Sequence, residues 1–354
     1  MTQTPRLHFA SDYQEGAHPA VLGRLVETNA KQTPGYGTDA YCAEARRLIA
    51  DACGCPEAEV FFLVGGTQAN ATVLDALLAP YQGVIAAASG HVSTHEAGAI
   101  EYGGHKVLQI PQEHGKVSAD AVEACAAGWE NDDNREHMVM PGVVYLSQPT
   151  EYGTLYTRRE LEDIAAVCRV HDLKLYVDGA RLAYALATPG NDVGLADLAR
   201  LCDAFYIGGT KCGTLFGEAV VIPTPGTIPH FFTMIKQHGA LLAKGRLLGV
   251  QFGALFCDGL YGRIGAGAIE QAGRIRAALA ARGLDLRFDS PTNQVFVEVD
   301  DAVLEKLGAQ VEYGFWEQAG PGRSIIRFAT SWATQPSAVD ALEDVLTDVF
   351  GPRA

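Results

Sequence analysis

Two short stretches hold residue types that could do chemistry together. The first is Tyr176-Val177-Asp178-Gly179-Ala180-Arg181-Leu182, where an apolar run from Leu173 to Val177 ends in an acid at a glycine turn. The second is Gly208-Gly209-Thr210-Lys211, where the apolar run Ala204 to Ile207 ends in a lysine among small residues. Small neighbours let a ring approach the lysine, and desolvation lowers an amine's pKa and makes it more nucleophilic. Such an amine forms a Schiff base with a carbonyl compound, and an acid that keeps a pyridine nitrogen protonated lets the ring accept electrons. The pair suits one cofactor, pyridoxal phosphate. Taken singly, each residue has a plainer reading. Lys211 reads as a surface lysine in a glycine turn, and Asp178 as the cap of a helix from Ala180 to Leu186. Arg181 could bond the ring's phenolic oxygen, a substrate carboxylate, or an acid of the chain itself.

Three further clusters belong beside these. Gly65-Gly66-Thr67-Gln68-Ala69-Asn70 lies between a strand-like and a helix-like segment. Glycines there expose backbone N–H groups, a helix N-terminus attracts anions, and Thr67 adds a hydroxyl, so the turn reads as a phosphate cup or as a plain strand-to-helix turn. In His91-Val92-Ser93-Thr94-His95-Glu96, a helix would put His91 and His95 at metal-ligand spacing with Glu96. The same stretch also allows one imidazole to stack on a cofactor ring. No third ligand follows at a recognised spacing, so the expectation is no metal. Arg327, in Ile325-Ile326-Arg327-Phe328-Ala329, wants a bidentate anion such as a carboxylate, or else faces solvent.

The elements that must position these groups alternate in type. Val60–64, Val84–88, Lys106–110, Val143–147, Leu173–177 and Ala204–207 read as strands. Thr67–78, Thr94–102 and Thr157–171 read as helices, the last opening on a Thr157-Arg158-Arg159-Glu160 capping box. Such alternation predicts an α/β fold with a mostly parallel sheet, whose functional groups gather at the carboxyl ends of the strands. After Pro229 the pattern changes to helices over 231–259 and 266–282, strands over 295–299 and 324–330, and a helix over 337–350. The expected organisation is an N-terminal arm (1–25), a large cofactor-binding domain (26–230), and a helical linker with a smaller C-terminal α+β domain (231–354).

Bulk composition narrows the function classes. The chain has 354 residues, 48% hydrophobic, with 27 Lys+Arg against 42 Asp+Glu and a net charge of −15. That balance argues against nucleic acid and against anionic membranes. No apolar run approaches a membrane span, and the first 13 residues show no secretory signal core. The eight cysteines form no Cys-x-x-Cys pair and mostly sit in apolar contexts, as reduced thiols of a cytoplasmic protein would. No P-loop motif or full dinucleotide fingerprint is present.

Together these residues resemble the threonine aldolase/β-eliminating lyase family of pyridoxal-phosphate enzymes, fold type I. The resemblance runs from about Phe9 to Trp332 and is strongest in Asp-Gly-Ala-Arg-Leu at 178–182. Ser11-Asp12, Gly-Tyr-Gly at 35–37, the 65–70 turn, His91 with Glu96-Ala97-Gly98, Lys211 and Arg327-Phe328-Ala329-Thr330 add to it. It implies that Lys211 carries the cofactor, Asp178 pairs with the pyridine nitrogen, His91 stacks on the ring, and Gly65, Gly66 and Thr67 hold the phosphate. Ser11, Arg181 and Arg327 would hold the substrate carboxylate. It also implies a homodimer or homotetramer with shared sites, to which Tyr36 and Lys236, with Lys244 or Arg246, would be contributed by the neighbouring subunit.

The resemblance further implies Cα–Cβ cleavage of a β-hydroxy-L-amino acid, such as L-threonine or L-allo-threonine, to glycine and acetaldehyde. β-Elimination or racemisation of a β-substituted amino acid is the nearest alternative, and a metal-dependent hydrolase using His91, His95 and Asp178 a distant one. Two features depart from the family. The phosphate turn is Gly-Gly-Thr-Gln rather than Ser-Gly-Thr-Met. The stretch Ser147-Gln148-Pro149-Thr150-Glu151 lacks the family's histidine near the substrate hydroxyl, leaving Glu151 or His95 to substitute.

Overall fold

A computed structural model describes residues 6–352, so the first five residues of the expected arm lie outside the described chain. Thirteen strands form among those residues: β1 (Leu7–His8), β2 (Glu59–Leu63), β3 (Gln82–Ala87), β4 (Val107–Ile110), β5 (Met140–Ser147), β6 (Lys174–Asp178), β7 (Ala204–Gly208), β8 (Glu218–Ile222), β9 (Asp285–Arg287), β10 (Gln294–Asp300), β11 (Val311–Glu312), β12 (Gly314–Gly320) and β13 (Arg323–Ala329). Seven make the central sheet, in the order β2-β8-β7-β6-β5-β3-β4. Strands β3 to β7 pair in parallel with one another. Only β8 runs against its neighbours β7 and β2. Such strands are covered on both faces and read as unbroken apolar runs, and every residue of β7 and β8 is buried.

The two faces carry separate cores, one centred on Ile85, Val144, Val177 and Phe205, the other on Val84, Val143, Tyr176 and Val220. The alternation of these residues along each strand is the pleat itself. The helix Arg158–Val170 closes the first core. Thr157 accepts from the Glu160 N–H at 3.2 Å while Glu160 accepts from the Thr157 N–H at 2.8 Å, the reciprocal cap its sequence predicts. Its buried residues are Leu161, Ile164, Ala165 and Cys168.

A second, four-stranded antiparallel sheet, β12-β13-β10-β9, packs against the helices Ala266–Ala280 and Pro336–Phe350 around a third core. The expected division at 230 falls between β8 and the helix Phe231–Gln237. Helices as far as Ile264 still pack on the central sheet's cores. Strand β1 reaches across the molecule to pair in parallel with β11, which leads the following residues, Phe9 to Tyr13, towards the junction of the two sheets.

Two expected helices are interrupted. The 94–102 segment splits into His91–Thr94 and Ala99–Tyr102, because Ala97 and Gly98 adopt φ of 51° and 72°. The 231–259 segment splits into Phe231–Gln237 and Arg246–Phe256, the first ending before Gly239 at φ 68°. All eight cysteines are free. Among the described residues no helix is long and apolar enough to cross a membrane.

Candidate active site

The carboxyl edge of the central sheet gathers residues from five strands. Gly65 follows β2, His91 follows β3, Glu151 follows β5, Asp178 ends β6 and Lys211 follows β7. They surround a cleft of two adjoining chambers. The inner one, about 130 Å³, is lined by Gly66, Thr67, His91, Asp178, Arg181 and Lys211 among others. The outer one, about 700 Å³, shares His91, Glu151, Arg181 and Lys211 with it and adds His95, Tyr152, Trp316 and Arg327. A separate cavity of about 770 Å³, lined by Lys116, Glu160, Phe288 and Asp289 among others, contains none of the candidate site residues.

Asp178 is 4% exposed and accepts from Asn70 Nδ2 at 2.9 Å, the Tyr145 hydroxyl at 2.6 Å and the Ala180 N–H at 3.0 Å. Burial alone would raise its pKa. The charge of His91 and the hydrogen bonds from Tyr145, Tyr206 and Asn70 outweigh that and hold it below the usual carboxylate range. Asp178 is therefore an anion at neutral pH, aimed into the inner chamber. Gly179, next in sequence, is required by close approach: a Cβ there would lie 2.1 Å from the Tyr206 carbonyl oxygen.

Lys211 faces Asp178 across the inner chamber. Its amine has no hydrogen bond or ion pair among the described residues, and the ring of Tyr13 lies 5.9 Å from Nζ. Burial, then the charge of Arg181, lowers its pKa against the raising effect of Asp12, Asp178 and Glu218. The N-terminus of the helix Gly66–Leu77 has no side-chain cap, and Gly66 and Thr67 line the same chamber.

His91 is set by a chain of acceptors. Its Nδ1 lies 2.7 Å from Glu96 Oε1, which also accepts from Asn70 Nδ2 at 2.7 Å. Asn70 thus bridges the carboxylates of Glu96 and Asp178 with one amide nitrogen. Burial opposes the imidazolium, but Glu96 and Asp178 raise the His91 pKa overall. His91, Glu96 and Asp178 bring ligand atoms within 4.8 Å of one another. The amide bridge and the His91–Glu96 hydrogen bond both use Glu96 Oε1, while Glu96 Oε2 is buried without a partner. His95 lies apart from that trio, its ring 5.8 Å from that of His91 and 6.2 Å from that of Trp316. The grouped residues are thus His91, Glu96 and Asp178 rather than the His91, His95 and Asp178 of the distant alternative.

The cationic residues differ in how far they are committed. Arg181 Nε and Nη2 bond both oxygens of Asp12, at 2.6 and 3.0 Å. Asp12 is buried, which would raise its pKa, yet Arg181 pulls it down to about 2. Arg327 donates to Gln294 Oε1 at 2.9 Å and to the Ala10 carbonyl at 2.8 Å, while its buried Nε has no partner. Burial, then the nearby charge of Arg181, lowers its pKa to about 10, so it remains a cation. Ser11 is half-buried beside Asp12 and does not line either chamber.

Tyr36, Lys236 and Arg246 stand away from the cleft. Lys236 Nζ sits 4.7 Å over the ring of Tyr36, which is 44% exposed. Arg246 donates to the carbonyls of Thr28, Asn29 and Lys31 at 2.7–2.8 Å, capping the end of the helix Pro19–Thr28. Lys244 is exposed. His105 bonds Asp75 and the Gln82 carbonyl inside the fold.

Of the two substitutes for the absent histidine, both line the outer chamber. Glu151 accepts from the Ser147 hydroxyl at 2.6 Å and the His91 N–H at 2.8 Å, and burial raises its pKa. The His95 pKa is lowered, by burial first and then by His91 and Arg327. Sequence reasoning did not single out Asp12, Asn70, Glu96, Tyr145 or Gln294 as parts of the site. Asp12 and Asn70 stand inside quoted motifs without a role of their own, and Glu96 enters only as a metal ligand beside His91 and His95.

This donor set fits pyridoxal phosphate: an unpartnered lysine amine, a buried anion opposite it, and an uncapped helix N-terminus on one chamber. The sequence profile of the family described as beta-eliminating lyase matches residues 8–302. A low specificity L-threonine aldolase of Pseudomonas aeruginosa is 32% identical over 97% of this chain and 98% of its own. One from a Pseudomonas species is 32% identical over 94% and 95%. The solved structure of Leishmania major threonine aldolase superposes with a TM-score of 0.93 at 43% identity, over 98% of this chain and all of that one. Thermus thermophilus aspartate aminotransferase shares the fold, with a TM-score of 0.70 at 17% identity. This chain belongs to the beta-eliminating lyase family, the pyridoxal-phosphate-dependent lyases of fold type I.

Proposed function

We propose that this chain cleaves the Cα–Cβ bond of a β-hydroxy-L-amino acid, L-threonine or L-allo-threonine, giving glycine and acetaldehyde. The observation that carries this reading is the convergence of Lys211, Asp178 and Arg327 on one cleft. The L-threonine aldolases that match nearly the whole chain support the substrate. Pyridoxal phosphate, when bound, supplies the electron sink for a bond broken at Cα.

The protein's own groups do the rest. Lys211 would hold the cofactor, Asp178 would pair with its pyridine nitrogen, and His91 would cover its ring. The free N–H groups at Gly66 and Thr67, with the Thr67 hydroxyl, take the phosphate, as Gly65 opens the turn. Arg327, through its unpartnered Nε, and Arg181, which lines both chambers, fix the substrate carboxylate and so select which bond to Cα breaks. His95 takes the proton from the β-hydroxyl. Burial and two neighbouring cations keep its imidazole neutral, the form that accepts a proton.

We further propose a cytoplasmic homodimer or homotetramer in which Tyr36 and Lys236 complete the partner's cleft. In its own chain the Tyr36–Lys236 pair is exposed and remote from Lys211. Exposed Leu22, Val26 and Phe232 offer apolar surface for association. Residues 26–230 would form the cofactor-binding domain, and 231–354 the helical linker and smaller domain.

Purified protein loaded with pyridoxal phosphate should be yellow and release acetaldehyde from L-threonine. Lys211→Ala should lose both, with turnover down at least a thousandfold or so. His95→Asn should stay yellow and lose turnover more than Glu151→Gln. Pyruvate from serine or cysteine without acetaldehyde from threonine would replace aldol cleavage by β-elimination, and failure to bind the cofactor would remove both.

A further inference from the structure

Glu218 is a buried carboxyl that the proposed chemistry leaves unused. It opens β8, the one reversed strand of the central sheet, and so enters the carboxyl edge from the opposite direction to Asp178. Its register partners are Gly208 on one side and Leu63 on the other. It is 3% exposed. Its Oε2 accepts from the Gly209 N–H at 2.9 Å, two residues before Lys211. The Thr210 hydroxyl, which accepts from the Gly217 N–H at 3.0 Å, also bonds this carboxyl. The Lys211 loop is further stitched by bonds from Gly209 and Thr210 N–H to the Gly217 carbonyl, at 3.0 and 3.1 Å.

We propose that Glu218 is a positioning residue for Lys211: its carboxylate grips the Gly209 N–H and the Thr210 hydroxyl and places a negative charge behind the lysine amine, so that the charge on Glu218 governs how readily Lys211 gives up its proton. This rests on the pyridoxal-phosphate reading of Lys211. A glutamine would satisfy the Gly209 N–H equally well, so the hydrogen bond alone does not account for an acid buried at this position.

The groups facing Glu218 are few. From β6 come Asp178 and Tyr176, from β7 Tyr206, from the loop Lys211 and Cys212, and from the helix Leu260–Ile264 Tyr261. The tyrosines have pKa values well above 10, and Cys212 is pushed up to about 12, so both types stay neutral at working pH. Burial raises Glu218 to about 7, against help from Thr210, Gly209 and Lys211. The carboxyl therefore changes charge near neutrality, with Lys211 and Asp178 as charged neighbours. Above about pH 7 its anion favours protonated Lys211; below that pH the support is lost.

The test uses the full-length chain freed of cofactor, in which Lys211 is a free amine. Its rate of acetylation by acetic anhydride is followed by peptide mass spectrometry as a function of pH. In Glu218→Gln, Lys211 should react roughly three- to tenfold faster than in the wild type above about pH 7, and the two rates should converge below it. A purely structural role would change the rate equally at all pH values. Curves that overlay, or a pH-independent offset, overturn the proposal. If Glu218→Gln does not fold, the wild type loaded with cofactor still decides. The Gly209 amide proton resonance should then shift with a midpoint near 7, and a flat titration overturns the proposal. Neither measurement depends on turnover. Failure to bind pyridoxal phosphate would instead count against the functional reading.

Discussion

Replacing Asp12 by asparagine isolates the ion pair that joins the N-terminal segment to the cleft. Asp12 is fully buried, and Arg181 keeps only 14% side-chain exposure. Asp12→Asn leaves the guanidinium with neutral acceptors, which should cost about 3 kcal/mol, the lower end for a broken buried pair because Arg181 still touches solvent. The same pair leaves a signature in the wild type. A carboxyl held at about 2 in the folded chain against an ordinary 3.8 adds about 2 kcal/mol to the folded state. Because the folded value is the depressed one, this stabilisation is complete above about pH 4. It is lost as pH falls through 3.8 towards 2. Urea unfolding read by the three tryptophans should therefore show the wild type well ahead of Asp12→Asn at neutral pH and the gap narrowing below about pH 4. Equal urea midpoints at neutral pH, or a gap that does not change with pH, would refute the pairing as the source of this stability.

Arg327→Gln should lower kcat/KM for threonine about a hundredfold, mainly through KM, since it removes a charged donor with a free Nε; unchanged KM would count against the carboxylate role. Glu96→Gln should move the His91 titration to lower pH, measured by the ring-proton NMR shift. In the wild type the raised folded pKa means that the His91–Glu96 contribution to stability is present below the ordinary histidine value and fades as pH climbs through the folded one. Gly179→Ala forces a Cβ towards the Tyr206 carbonyl and should destabilise by roughly 2–3 kcal/mol, seen as lost soluble yield or a lower Tm.

The parts of the site that the sequence exposes are those where chemistry interrupts a pattern. An acid ending an apolar strand before a glycine, and a lysine among small residues, break the expected burial and so stand out. The capping box at Thr157 and Glu160 is local in the chain and equally legible. Asn70 and Tyr145 sit at positions where a helix or strand simply continues, and their partners are distant in sequence. Asn70 lies on the helix after β2, yet its meaning is the bridge between Glu96 and Asp178. Asp12 is similar: nothing near it in the chain announces Arg181. The two interrupted helices were hidden because their apolar spacing carries on past Ala97 and Gly239, where only the backbone conformation turns.

The reversed strand β8 has a consequence for how this chain is made. Strand β2 emerges early from the ribosome, but the partner that flanks it, residues 218–222, is not yet translated. Until then β2 has no neighbour on either side in its sheet. Strand β1 waits longer still, for β11 near the other end of the polypeptide. The nascent chain must therefore hold an unpaired apolar edge from residue 63 until residue 218 has been made, a state prone to clumping and slow to close. The Asp12–Arg181 contact follows that pairing in the chain, so the cleft is completed only once residues 311–312 have been released.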